Sequence, residues 1–214
     1  MPRRRVIFAA GEFYHIYNRS TNKAPIFRGK RECDIFLDAV RFYLQPKPPT
    51  KFSIYRKSRQ SFKLDLDQNI VTIVNYCVMP SHFHFTLRQE RDRGIQQFIQ
   101  RLSNSFAHYF SVKYKKRGHI FEDKFKAVHV ETQEQLVHLS RYIHLNPVTS
   151  YIEERPEDYF YSSYNIYTGK IKSDIVDPRP VMENFNTVES YKNFVLSRKD
   201  YQRSLEQIKH LIFE

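Results

Sequence analysis

The stretch Ile70–Arg88 constrains the fold more than any other part of the chain. Ile70–Val78 is rich in β-branched residues and reads as a buried strand. His82–Arg88 alternates in character and reads as a second strand, reached through the short link Met79-Pro80-Ser81. Strands joined by so short a link pair antiparallel, because a parallel return needs a crossover of a dozen or more residues. The chain must therefore build a sheet around this hairpin. Phe13–Tyr17 is aromatic and β-prone, with a turn at Asn18-Arg19-Ser20, and Ala127–Val130 is a further short strand.

Helical spacing fills the intervals. Cys33, Phe36, Leu37, Val40 and Leu44 predict a helix over 30–44, ended by Pro46, Pro48 and Pro49. Residues 94–114 place Ile95, Phe98, Ile99, Leu102, Phe106, Tyr109 and Phe110 on one side. Lys113–Gly118 closes that helix with positive charge and glycine. Thr132 with Gln135 fits a capping box, opening a helix to about Leu145 that Pro147 limits. The order strand, helix, strand, strand, helix, strand, helix predicts an α+β sandwich, ferredoxin-like or RRM-like, with helices packed on an antiparallel sheet. The basic stretch 47–69 is expected to be an insertion or long loop, with an irregular hairpin through Phe52–Tyr55 and Phe62–Leu66. Residues 170–214 are expected to be a mostly helical extension, with Tyr191, Phe194, Val195, Leu205, Ile208 and Leu211 periodic over 188–213. A dimer element, a DNA clamp and a lid are all open as its role.

Charge narrows the partners. Lys and Arg total 35 against 23 Asp and Glu, a formal net charge of +12. With a sequence pI near 9.6, nucleic acid is the natural partner. Arg3, Arg4 and Arg5 read as a phosphate-seeking arm. Two cysteines, Cys33 and Cys77, without a C-x-x-C pair, read as reduced buried thiols. No apolar run approaches the ~20 residues that cross a bilayer, and Val6–Ala10 is too short for a signal peptide, so a cytoplasmic location is expected.

Chemistry points to two places. His82 and His84, two residues apart in a strand, face the same way, together with Thr86 and Arg88. Paired imidazoles can hold a divalent metal given a third ligand. By itself a His-x-His pair more often means two hydrogen-bonded histidines on a half-exposed strand. On the helix after Thr132, Leu136, Leu139 and Ile143 form the core stripe, flanked by a polar band of Gln135, His138, Tyr142 and Asn146. Tyr142 and Asn146 are neighbours at i and i+4, while His144 lies on the far side. A boundary tyrosine with a hydrated hydroxyl is the plainer reading of Tyr142.

Four segments taken together shift that balance. Tyr14–Arg19, Tyr76–His84, Gly118–Phe121 with Lys124–Lys126, and Ser140–Val148 resemble, in order and spacing, the single-tyrosine HUH transposases of small insertion sequences and of bacterial repeats. The matches run from about Gly11 to Gly169, with Asp158–Tyr164 also similar, so 1–169 is taken as the HUH domain. The resemblance implies that His82, His84 and Asn146 bind Mg²⁺ or Mn²⁺ and that Tyr142 is the nucleophile. It implies cleavage and rejoining of single-stranded DNA near a hairpin through a 5′-phosphotyrosine, with no nucleotide cofactor, by a monomer or homodimer that is nucleoid-associated when on DNA. Imidazole chemistry alone would equally admit Zn²⁺ or Ni²⁺. Candidate DNA contacts are Arg19, Arg28, Lys113, Lys115, Lys116, Arg117, Lys124 and Lys126, interleaved with aromatics including Tyr14, Tyr17 and Phe121. The competing reading is an RRM-like single-strand binder or domesticated descendant without cleavage, against which the absence of an RNP motif and the intact histidine and tyrosine motifs both count.

Overall fold

A computed structural model describes residues 6–58, 61–122 and 124–198. Four strands form one sheet: β1 (Phe13–Arg19), β2 (Val71–Met79), β3 (His82–Gln89) and β4 (Lys126–Val130), in the order β2-β3-β1-β4. Every pairing is antiparallel, and β1 and β3 lie at the centre. Helices α1 (Lys30–Tyr43) and α3 (Gly94–Tyr114) complete the βαββαβ frame expected of a ferredoxin-like sandwich.

The alternation in β3 decides which face is dry. Phe83, Phe85 and Leu87 are fully buried. Phe36 of α1 meets Phe83 at 5.3 Å between ring centroids, and Phe98 of α3 meets Phe85 at 6.1 Å. Each such ring contributes roughly 1.5–3 kcal/mol on burial, so this layer anchors the molecule. Gly94 starts α3 because its backbone passes the Ile70 carbonyl so closely that a Cβ would stand 2.1 Å from that oxygen. Glu32 of α1 ties the two helices together, accepting hydrogen bonds from Tyr109 and Tyr114 at 3.0 Å each and pairing with Lys113.

Helix α4 (Gln133–Thr149) lies against the other face of the sheet, over β2 and β3 and beside β4. Thr132 and Gln135 form the expected capping box. The helix does not stop before Pro147 but runs through it to Thr149. Proline lacks the N–H that would bond the Ile143 carbonyl, while its own carbonyl accepts from the Ile152 and Glu153 amides, which close the end of the helix. Leu136 and Ile143 are buried as expected and Leu139 is half-buried.

Two further expectations are corrected. The stretch 47–69 holds no hairpin among its described residues; Phe52–Lys57 is a short helix, α2, whose Tyr55 packs on Phe42 with centroids 4.8 Å apart. Burial of Tyr55 and Phe52 against α1 follows an i, i+3 spacing, which a strand would have split between faces. Helix α3 is capped by Lys115 in the left-handed conformation (φ 49°), not by Gly118 three residues on.

After α4 come α5 (Tyr164–Tyr167), α6 (Arg179–Met182) and α7 (Val188–Leu196). Tyr191 of α7 is fully buried, its hydroxyl 2.7 Å from Nδ1 of His144, whose Nε2 lies 2.7 Å from Ser163 Oγ. Ser163 in turn bonds the backbone of Tyr76 in β2. This buried polar chain pins α4 to both the sheet and the extension. Arg3–Arg5 and the periodic Leu205, Ile208 and Leu211 lie outside the described residues.

Candidate active site

Strand register gathers the site. Tyr17 pairs with His84 and Lys126, Arg19 with His82, and His15 with Thr86 and Val128. Directly opposed residues share a face. His15, Tyr17, Arg19, His82, His84 and Lys126 therefore all project away from the phenylalanine layer, toward α4. With Tyr142 and Asn146 of α4 they line one cavity of about 420 Å³, which Asn18, Glu122 and Lys124 border.

His82 and His84 stand edge to face, centroids 5.0 Å apart. His84 is buried at 6% exposure, and its Nδ1 lies 2.9 Å from Nε2 of His15. One nitrogen of that pair must carry the proton and donate to the other. Burial lowers the pKa of His15 to about 4. Burial also holds His84 well below the ordinary imidazole range, with the charges of His82, His15 and Arg19 adding to it. Both rings are thus neutral at neutral pH, the state in which an imidazole offers a lone pair. Tyr142 is 37% exposed, its ring edge-on to His84 at 5.8 Å and to His15 at 6.3 Å.

Asn146 sits one turn below Tyr142 on α4. Its side-chain amide nitrogen donates to the Tyr142 carbonyl at 3.0 Å, leaving the amide oxygen as its polar atom for the cavity. Among the described residues no group of three or more His, Cys, Asp or Glu side chains stands ready for a metal. Two imidazole nitrogens and a carboxamide oxygen nonetheless suit a divalent cation that must keep positions open for substrate oxygens.

The candidate DNA contacts divide. Arg19, Lys124, Lys126 and Tyr17 line the cavity, and the Lys126 ammonium lies 5.9 Å from the Tyr17 ring centre. Arg28 stacks on Tyr114 at 4.4 Å and Lys113 pairs with Glu32; both are exposed and lie outside the cavity lining. Lys115, Lys116 and Arg117 are exposed beyond α3, away from the cavity lining. Phe121 is largely buried against Phe83 and Phe106. Tyr14 is also core, its hydroxyl bonded to the backbone of Ile7 and Ala9. His15 was not singled out from sequence. Alternation along Phe13–Tyr17 puts it on the face opposite Tyr14 and Ile16, but only strand pairing puts it beside His84.

Residues 51–146 match the model of the family described as Transposase IS200 like. That segment holds His82 and His84 and ends at Asn146, with Tyr142 four residues before its end. No curated protein matches the chain by sequence. Among solved structures, a REP-associated tyrosine transposase bound to a REP hairpin superposes with a TM-score of 0.58 at 14% identity, over 83% of this chain and 94% of that one. At such identity the likeness is one of fold. A structure from Deinococcus radiodurans R1, assigned as a transposase, reaches a TM-score of 0.37 at 15% identity over 67% of this chain and 94% of its own, too slight to build on. No helix among the described residues is long and apolar enough to cross a membrane.

Proposed function

We propose that this chain, whose residues 51–146 match the model of the IS200-like transposases, is a metal-dependent single-stranded DNA transposase and endonuclease whose nucleophile is Tyr142. The observation that carries this reading is the convergence of Tyr142 and Asn146 from α4 with His82 and His84 from β3 on one cationic cavity. The catalytic unit is taken as residues 1–169, with the rest as an extension.

In the proposed reaction the phenolic oxygen of Tyr142 attacks the scissile phosphorus. The bond from phosphorus to the 3′-oxygen breaks, the 3′-oxygen leaves and takes up a proton, and the 5′-phosphate stays on Tyr142. Attack by another 3′-hydroxyl reverses these steps and joins new ends, so no nucleotide cofactor is consumed. A free phenol has a pKa of about 10 and is a weak nucleophile at neutral pH, so the site must activate it. A divalent cation such as Mg²⁺ or Mn²⁺, held by His82, His84 and Asn146, would polarise the phosphate and offset its developing charge. Arg19, Lys124 and Lys126 add positive charge where the phosphate would lie, and Tyr17 offers a ring on which a base can stack. His15, by accepting a hydrogen bond from the Nδ1–H of His84, would keep the Nε2 lone pair of His84 available.

The REP hairpin bound by the structurally similar transposase makes hairpin-bearing single strands the first substrates to try. Purified protein incubated with such oligonucleotides and Mn²⁺ or Mg²⁺ should give a protein–DNA adduct on denaturing gels. The adduct should require metal and vanish in Tyr142→Phe and His82→Ala. An adduct that persists in Tyr142→Phe would move the nucleophile elsewhere. DNA that binds without ever forming an adduct would make the chain a single-strand binding protein.

A further inference from the structure

We propose that the cavity between α3 and the residues Gly118–Glu122, Lys124 and Phe125 is a subsite for one unpaired nucleobase of the strand whose backbone occupies the neighbouring cavity. This rests on the nuclease reading in taking that neighbour as the phosphate site. The cavity measures about 870 Å³ and shares Asn18, Glu122 and Lys124 with the site that holds Tyr142, so one strand can enter both.

Its chemistry differs from its neighbour's. Gln96, Gln100, Ser103 and Asn104 follow one another at i, i+4, i+7 and i+8, one stripe along α3. Phe125, half-buried, stands among the lining from the other side. Apart from His119, the ionisable groups of the lining are Lys124 and Glu122, which offset each other and are shared with the neighbouring cavity. A phosphate site would concentrate cations, as the neighbouring cavity does with Arg19, Lys124 and Lys126. Amides beside an aromatic wall are instead the groups that read and stack bases.

Two of the polar atoms also lack partners. Gln96 Oε1 and Ser103 Oγ are buried with no hydrogen bond in the protein. Buried polar atoms are seldom left so, and each such exception calls for an explanation. Turned toward the cavity that their residues line, both would meet a base edge presenting donors and acceptors. A carboxamide offers one acceptor and one donor side by side, the complement of the N6 and N7 edge of adenine. Adenine is therefore the base expected here.

The test is binding without chemistry. Fluorescence anisotropy would compare the pentanucleotides dA5, dC5, dG5 and dT5 on Tyr142→Phe protein in the presence of chelator. The expected result is a preference for dA5 of about tenfold or more, the scale of one well-made bidentate contact. Gln100→Ala with Asn104→Ala should abolish that preference while leaving dT5 affinity nearly unchanged; both residues are exposed, so the fold is not at risk. Lys126→Ala should weaken all four alike, because a phosphate contact carries no sequence information. Equal or absent binding of the four, or a dA5 preference that survives the double variant, would overturn the proposal. Because neither metal nor cleavage is involved, a wild type that never forms an adduct yet shows this base ranking would sink only the nuclease reading.

Discussion

Replacing His15 by alanine should weaken metal binding without dismantling the sheet. For His84 to present the Nε2 lone pair, its proton must sit on Nδ1, and that nitrogen lies 2.9 Å from Nε2 of His15. Removing the imidazole leaves a donor on a side chain that is only 6% exposed. The other tautomer then competes, with Nε2 protonated and closed to metal. Loss of such a supporting bond typically lowers metal affinity about 10- to 100-fold, or roughly 1.4–2.7 kcal/mol. The orphaned donor should also cost about 1–3 kcal/mol of folding stability. Isothermal titration with Mn²⁺ reads the first effect and urea denaturation the second. His15→Gln supplies a carbonyl near the former Nε2 position and should recover most of the affinity. If His15→Ala binds Mn²⁺ as the wild type does, the tautomer argument is wrong. If Gln and Ala lose affinity equally while both stay folded, the ring itself matters and not its acceptor.

Elsewhere the consequences concern the frame that holds the site. Gly94→Ala gains about 1 kcal/mol of helix propensity but drives a methyl to 2.1 Å from the Ile70 carbonyl oxygen. Backbone cannot yield cheaply, so a net loss of about 1–3 kcal/mol is expected in urea melts, and a stabilised variant would contradict it. Burial alone would raise the pKa of Glu32, but hydrogen bonds from Lys113, Tyr114 and Tyr109 outweigh it and hold the carboxylate below its ordinary range. A carboxyl lowered on folding stabilises above its unfolded pKa of about 4.3, and that share is lost as pH falls toward the folded value. Glu32→Gln should therefore flatten the acid limb of the stability profile below about pH 4.5, by up to about 1.4 kcal/mol per pH unit, and an unchanged limb would show that Glu32 is not a main contributor.

The strand and helix order was legible because period and punctuation are local. Alternation in His82–Arg88 announced one polar and one apolar face, and helical spacing over 94–114 needed no partner to be read. Local signals also misled. The prolines around 46–49 and the polar run after them concealed α2, which exists because Phe52 and Tyr55 find an apolar seat on α1. Pro147 announced a helix end, yet α4 runs on to Thr149 and is closed where the Ile152 and Glu153 amides bond the Pro147 carbonyl. In each case contacts outside the element itself went with structure that propensity alone did not announce.

For the site, the sequence by itself determined that His82 and His84 share a face and that Tyr142 and Asn146 share a flank, since both follow from the period of one element. Only the tertiary structure decided that the two pairs meet, that His15 stands against His84, and that Lys126 joins them while Lys113 is spent on Glu32. The physical reason is that register between strands, and the docking of α4 over the sheet, are set by packing between residues far apart in the chain. No window of neighbouring residues carries that information.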